Sequence, residues 1–230
     1  MENSGAKTLE SMSQAVWYNR WTLSKFKKYL KGDILEVGCG IGNFTSYLTR
    51  YGKVWAIDIE RGYINETKEK VNGKAFVGEG NIESGKYFFD KREFNTVVCL
   101  NVLEHIKDDR AAIKNLFQLL EAGGYLILLV PSHPNLYGVI DASIGHFRRY
   151  AKDDLLDILK KDGFTIFSES RLNFLGAIGW WIAQNIFKEK TVKENRVKIF
   201  NFLAPLTLTL ENIIKPPFGT SILVIAQKKL

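Results

Sequence analysis

Glu36 stands just ahead of three closely spaced glycines, Gly38, Gly40 and Gly42, and Asp58 closes a second apolar stretch, Val54-Trp55-Ala56-Ile57-Asp58. Glycine has no Cβ, so a ligand can lie directly against the backbone there. The spacing predicts a strand over 34–37, a glycine loop, a helix over 44–51 and a second strand over 54–58. A loop that opens a helix aims free N–H groups at whatever sits on the helix start. A carboxylate at a strand tip can accept both hydroxyls of a ribose. Strand, glycine loop, helix, strand and acid form a nucleoside-binding βαβ unit.

Two cofactor classes use such a unit, and charge separates them. A dinucleotide brings a pyrophosphate and prefers Gly-x-Gly-x-x-Gly. Here the spacing is Gly-x-Gly-x-Gly, and the Glu36 carboxylate would repel phosphate. It suits a cation, and S-adenosylmethionine carries a sulfonium and an ammonium group and no phosphate. Leu35-Glu36-Val37-Gly38-Cys39-Gly40-Ile41-Gly42 resembles motif I of the class I S-adenosylmethionine-dependent methyltransferases. The resemblance implies a cofactor site with named parts. Glu36 holds the charged amino acid end, Gly38, Cys39 and Gly40 supply close backbone, Asp58 binds the ribose, and Ile59 packs on adenine. Asn81, beside Ile82, occupies the position where the family often places an Asp for the adenine amino group. Asn101 and Tyr18 complete the expected contacts, Tyr18 with Trp17 and Trp21 as an aromatic lid. The product left after methyl transfer is S-adenosylhomocysteine.

Leu100-Asn101-Val102-Leu103-Glu104-His105-Ile106 resembles the Val-Leu-Glu-His signature of small-molecule members. A motif such as Asn-Pro-Pro-Tyr, typical of enzymes that methylate base amino groups, is absent from the sequence, which disfavours nucleic acid as the partner. His105 is read first as a loop-shaping residue that closes over the methionine moiety, and second as a base.

The most distinctive stretch runs Pro131-Ser132-His133-Pro134-Asn135-Leu136-Tyr137, then Asp141, then Gly145-His146-Phe147-Arg148-Arg149-Tyr150. It resembles a bacterial and archaeal methyltransferase subgroup with Gly-His-x-Arg-Arg-Tyr, a resemblance that extends to Trp180-Trp181 and Pro216-Pro217-Phe218-Gly219. Two of the chain's three histidines sit here beside paired arginines. Arg148 with Arg149 can clamp a phosphate or carboxylate, and His133 or His146 can take a proton from a hydroxyl. The competing expectation is that the arginines brace the next helix through Asp153 or Asp154.

The elements that must position these groups alternate along the chain. Helices are expected over 12–30, 61–72, 108–120 and 152–161, and strands over 74–77, 94–100, 125–130, 163–168 and 221–227. The fold class expected is α/β: a doubly wound, mostly parallel seven-stranded Rossmann-like methyltransferase sheet with a helical insertion between its last two strands. One domain covers 1–230, divided into an N-terminal helical cap (1–31), a cofactor-binding core (32–173), a helical substrate cap (174–217) and a final strand (218–230). The cap is expected to break near 188–194 and at Pro205. It is too short and too interrupted to span a bilayer, so it is read as a lid or packed hairpin, with a dimer face or peripheral membrane contact as further uses.

Composition is that of a folded protein, 46% hydrophobic and 25% charged. The two cysteines, Cys39 and Cys99, form no disulfide framework or metal-ligand spacing, so no metal is expected and a reducing cytoplasm is the simplest location. The +7 net charge suits an anionic acceptor or a Lys-rich surface. The reading is methyl transfer to a small or lipid-linked anionic acceptor. An RNA methyltransferase, an NAD-binding oxidoreductase and a catalytically silent nucleoside-binding protein are the alternatives.

Overall fold

The computed structural model describes residues 15–185, 194–213 and 217–229. Eight strands among them form one sheet: β1 Asp33–Val37, β2 Lys53–Asp58, β3 Phe76–Asn81, β4 Lys86–Tyr87, β5 Phe94–Leu100, β6 Leu120–Pro131, β7 Phe164–Leu172 and β8 Ser221–Lys228. The order is β4-β3-β2-β1-β5-β6-β8-β7. Strands β3, β2, β1, β5 and β6 run parallel, and β8 pairs antiparallel with both β6 and β7. The two-residue β4 is the addition to the seven strands expected, antiparallel on the far edge.

Helices cover both faces, which is why the inner strands are apolar throughout rather than alternating. On one face α4 (Asp109–Gln118) and α6 (Lys152–Lys161) bury Ile113, Leu116, Leu155 and Leu159 against Trp55, Ile57, Val97 and Leu128. On the other, α1 (Val16–Phe26), the short α2 (Thr45–Leu48) and α3 (Arg61–Val71) cover Val54, Ala56, Val98 and Ile127. A fifth short helix, α5 (Val139–Ser143), lies in the loop after β6.

Several boundaries differ from expectation; β6 begins at Leu120 rather than 125, and β7 runs on to Leu172 rather than ending at 168. The helix expected over 44–51 regularises only at Thr45–Leu48. Strand β3 runs on through Gly78-Glu79-Gly80-Asn81, read from sequence as loop. Gly78 admits Phe88, whose ring would meet a Cβ there at 2.3 Å. The cap is α7 (Phe174–Asn185) and α8 (Glu194–Ile213), and α8 does not break at Pro205. Proline forfeits one helical hydrogen bond, but Ala204 and Leu208 on either side are buried in the cluster that holds Trp21 and Phe26 of α1. Tertiary burial carries the helix through. The expected break at 188–194 lies, but for Glu194, outside the described residues, as do residues 12–14 of the first expected helix.

Candidate functional site

The glycine loop, Asp58, Asn81 and Asn101 all fall at the carboxyl ends of four adjacent strands, β3-β2-β1-β5. That is where open α/β sheets place ligands. Gly38, Gly40 and Gly42 have φ of +72°, +50° and +75°, a left-handed run that side chains disfavour. At Gly38 a Cβ would also meet Val102 at 2.3 Å. The loop is braced from α3. Thr67 donates to the Gly40 carbonyl at 2.7 Å, and Lys70 donates to the Ile41 carbonyl and to Asn43 Oδ1, both at 3.1 Å. Asp58 accepts from the Gly40 N–H at 2.8 Å and the Glu60 N–H at 3.0 Å, which fixes its carboxylate beside the loop.

Glu36 is buried in β1, and its Oε2 has no hydrogen-bond partner. Burial pushes its pKa up to about 8; the Asp58 charge adds to that rise, while Thr45 and Lys70 oppose it. An unpartnered buried carboxyl is costly, and an ammonium group supplied by a ligand would relieve it. The donor set therefore fits a cationic nucleoside such as S-adenosylmethionine, whose ammonium Glu36 would hold and whose ribose Asp58 would hold.

The remaining expected cofactor residues are less uniform. Ile59 is 69% exposed beyond Asp58, open to a ligand. Asn81 uses its side-chain oxygen to accept the Ser84 N–H at 3.0 Å, so the oxygen expected to take an adenine amino group is already shared. Ile82 is buried in the core, and its carbonyl accepts from Asn115 at 2.7 Å. Asn101 is exposed in a left-handed conformation. Cys39 is buried, and burial raises its thiol pKa. Tyr18 does not form a lid. It is buried in the core under α1, with its side chain bonded to Thr22 and to Ser221 at the start of β8, three strands from β1. Helix packing claims it, as it claims Trp21.

Beyond β5 and β6 two loops meet. Phe147 N–H donates to the Glu104 carbonyl at 2.8 Å, and Tyr150 Oη donates to the Leu103 carbonyl at 3.2 Å and to Asp109 at 3.0 Å. Asp141, fully buried, joins two of the expected residues. His146 Nδ1 lies 2.9 Å from Asp141 Oδ1, and Arg149 Nε donates to the same oxygen at 2.8 Å. Burial alone would raise Asp141's pKa, but His146 and Arg149 prevail and hold it low. Arg149 also donates to the Ser132 carbonyl, and its guanidinium lies 4.8 Å from the Trp180 ring of α7.

The arginine clamp is therefore corrected. Arg148 pairs with Asp109 at 2.7 Å and donates to the Lys107 carbonyl, and Arg149 is spent on Asp141. A desolvated guanidinium is stable only when paired, and the chain supplies its own carboxylates. Asp109 and Asp141, rather than Asp153 or Asp154, are the bracing partners. Asp141 stood in the sequence motif without a role. Nothing in its spacing announced that α5 would turn it onto residues five and eight places later.

His133 has φ +60°, a strained conformation for a non-glycine residue. Its Nε2 is buried without a partner, and burial with the Arg171 and Arg149 charges lowers its pKa. It lines a cavity of about 230 Å³ with Tyr150, Lys152 and Arg171. A second cavity of about 430 Å³ adjoins it through Lys152, Arg171 and Ile222 and reaches Trp21, Lys25 and Glu211.

Comparison with known proteins bears on the fold and the family. The Ubiquinone biosynthesis O-methyltransferase of Coxiella burnetii is 29% identical over 42% of this chain and 43% of its own length. The chain aligns to less than half the length of the curated relatives considered. An S-adenosylmethionine-dependent methyltransferase of Thermotoga maritima superposes with a TM-score of 0.68, covering 97% of this chain and 95% of that one at 17% identity. The N-methyltransferase NodS of Bradyrhizobium japonicum, solved with S-adenosyl-L-homocysteine, gives 0.56 at 17% identity, covering 91% and 82%. At those identities the structures establish the fold. The family described as Methyltransferase domain matches residues 18–169, and the chain belongs to that family.

Proposed function

We propose that this enzyme methylates a small acceptor bearing an anionic group, a class that includes lipid-linked molecules. The observation that carries the reading is the cavity beyond β6, where an unpartnered imidazole, His133, shares the wall with Lys152 and Arg171. Lys152 is shared with Glu169 at 3.1 Å, so Arg171 is the main cation for the acceptor. His133, kept neutral by burial and by the neighbouring arginines, takes the proton when the acceptor atom is a hydroxyl. The protein's remaining task is to hold donor and acceptor in line. The apolar residues that α8 exposes, Phe202 at 84% and Leu206 at 66%, support a lipid-linked acceptor.

The test is methyl transfer from labelled S-adenosylmethionine to a panel of small carboxylates, phosphates and extracted anionic lipids, with RNA and simple amines beside them. Labelling of an anionic acceptor, with Arg171→Ala raising its KM while S-adenosylhomocysteine affinity holds, is the expected result. Labelling confined to RNA or to uncharged amines overturns the reading.

A further inference from the structure

Glu104, His105 and His146 meet where the loop after β5 touches the loop before α6, and neither the cofactor site nor the acceptor cavity uses all three. One carboxylate oxygen and one ring nitrogen from each histidine lie within 4.8 Å of one another. His146 Nε2 stands 3.8 Å from Glu104 Oε1, and the two imidazoles pack edge to face with centroids 4.6 Å apart. The outward nitrogen of each ring has its orientation fixed from behind. His146 Nδ1 is held by Asp141, which Arg149 holds in turn. His105 is hydrogen-bonded to the Gly145 backbone, and its Nδ1 is the atom nearest to a Cβ built on that residue. Carboxylate or carbonyl bonds to the rear nitrogen fix the tautomer and present Nε2 as a lone pair, the arrangement found behind metal-binding histidines.

A second observation is independent of that geometry. The Glu104 side chain is 1% exposed, and its Oε2 has no hydrogen-bond partner. A buried carboxylate oxygen without a partner is costly in apolar surroundings. A cation in the cluster would relieve that penalty.

We propose that Glu104, His105 and His146 hold one divalent first-row transition-metal ion with open coordination positions. Two imidazoles and one carboxylate suit zinc, cobalt, manganese or iron(II), whereas magnesium and calcium favour all-oxygen sets. Ligands about 2.1 Å from a tetrahedral metal stand roughly 3.4 Å apart. The 3.8 Å contact nearly meets that, and the remaining separations, all within 4.8 Å, would close by small shifts of the loop that carries His105. The expectation of no metal rested on spacing along the chain, and these three ligands are gathered by tertiary structure instead.

The test needs no acceptor, so its outcome is separate from that of the acceptor reading. The full chain, freed of any affinity tag and of metal by a chelator, is titrated with cobalt(II) and then zinc(II). One cobalt per chain with visible d–d absorption, displaced by zinc, is expected. Glu104→Gln and His105→Ala should each weaken it at least tenfold, and His133→Ala should leave it unchanged. His105 is exposed, so its variant keeps the fold, which melting and S-adenosylhomocysteine binding verify. No saturable cobalt binding, or binding that survives both ligand variants, overturns the proposal. In that case the Glu104, His105 and His146 cluster is a packing contact between the two loops, with His146 held by Asp141.

Discussion

The two ends of the site solve opposite problems. The cofactor side leaves one oxygen of the buried Glu36 carboxyl unpartnered within one contiguous βαβ unit, with Thr45 and Lys70 only partly offsetting its burial. The far side gathers Asp109, Asp141, His146, Arg148 and Arg149 from separate loops and pairs nearly every charge internally. Arginines conspicuous in the sequence are the braces, and the quiet glutamates, Glu36 and Glu104, are the groups left wanting. An unsatisfied buried group marks binding better than an abundance of charge does, because a chain pays desolvation without return only where something else completes it.

That contrast is easiest to break at Asp141. Asp141→Ala strands the buried Arg149 and unties His146, so a loss of about 3–5 kcal/mol is expected, seen as a large fall in melting temperature. A variant that melts like the parent would mean the braced side is not braced. On the cofactor side, Glu36→Gln should cost S-adenosylhomocysteine about 10–100-fold in affinity, the range of a lost charge-assisted contact. Calorimetry reads this, and unchanged affinity would remove Glu36 from the site.

The pH dependence sharpens the comparison. Glu36 and Glu104 both have folded-state pKa values raised to about 8. The folded state therefore holds more protons than the unfolded one. Stability from these groups is fully present below about pH 4.3, the ordinary Glu range, and is lost as pH rises toward 8. The ligand-free protein should melt lower at pH 8 than at pH 6, and Glu36→Gln should flatten that slope. Cofactor binding needs Glu36 ionised. Affinity should then rise by up to about tenfold per pH unit below pH 8, with proton release visible as buffer-dependent heats. Heats that do not vary with the buffer would refute this. The smallest effect belongs to Arg148→Ala. Its pair with Asp109 is partly exposed, worth about 1 kcal/mol or less, and cofactor affinity should not move. A selective rise in acceptor KM instead would restore Arg148 to the acceptor site.

Legibility followed the range of the interactions. The placement of Glu36, the glycine run and Asp58 side by side was readable because adjacent strands in a βαβ unit bring neighbours in sequence together in space. Asn81 and Tyr18 were readable as positions but not as contacts. Asn81's oxygen turned to its own loop at Ser84, and Tyr18's packing was decided by Ser221 at the other end of the chain. Pro205 misled because a local rule about proline cannot register the burial of Ala204 and Leu208.

The sequence by itself determined the sheet's parallel core and the glycine loop and Asp58 that stand together at its carboxyl edge. Apolar periodicity and glycine spacing are local quantities, and they act before any long-range contact forms. Only the tertiary structure decided which acids neutralise Arg148 and Arg149, that His133 faces a cavity, and that Glu104, His105 and His146 converge. Those outcomes depend on how two loops about 40 residues apart settle against each other, where desolvation makes each buried charge take the nearest partner the fold supplies.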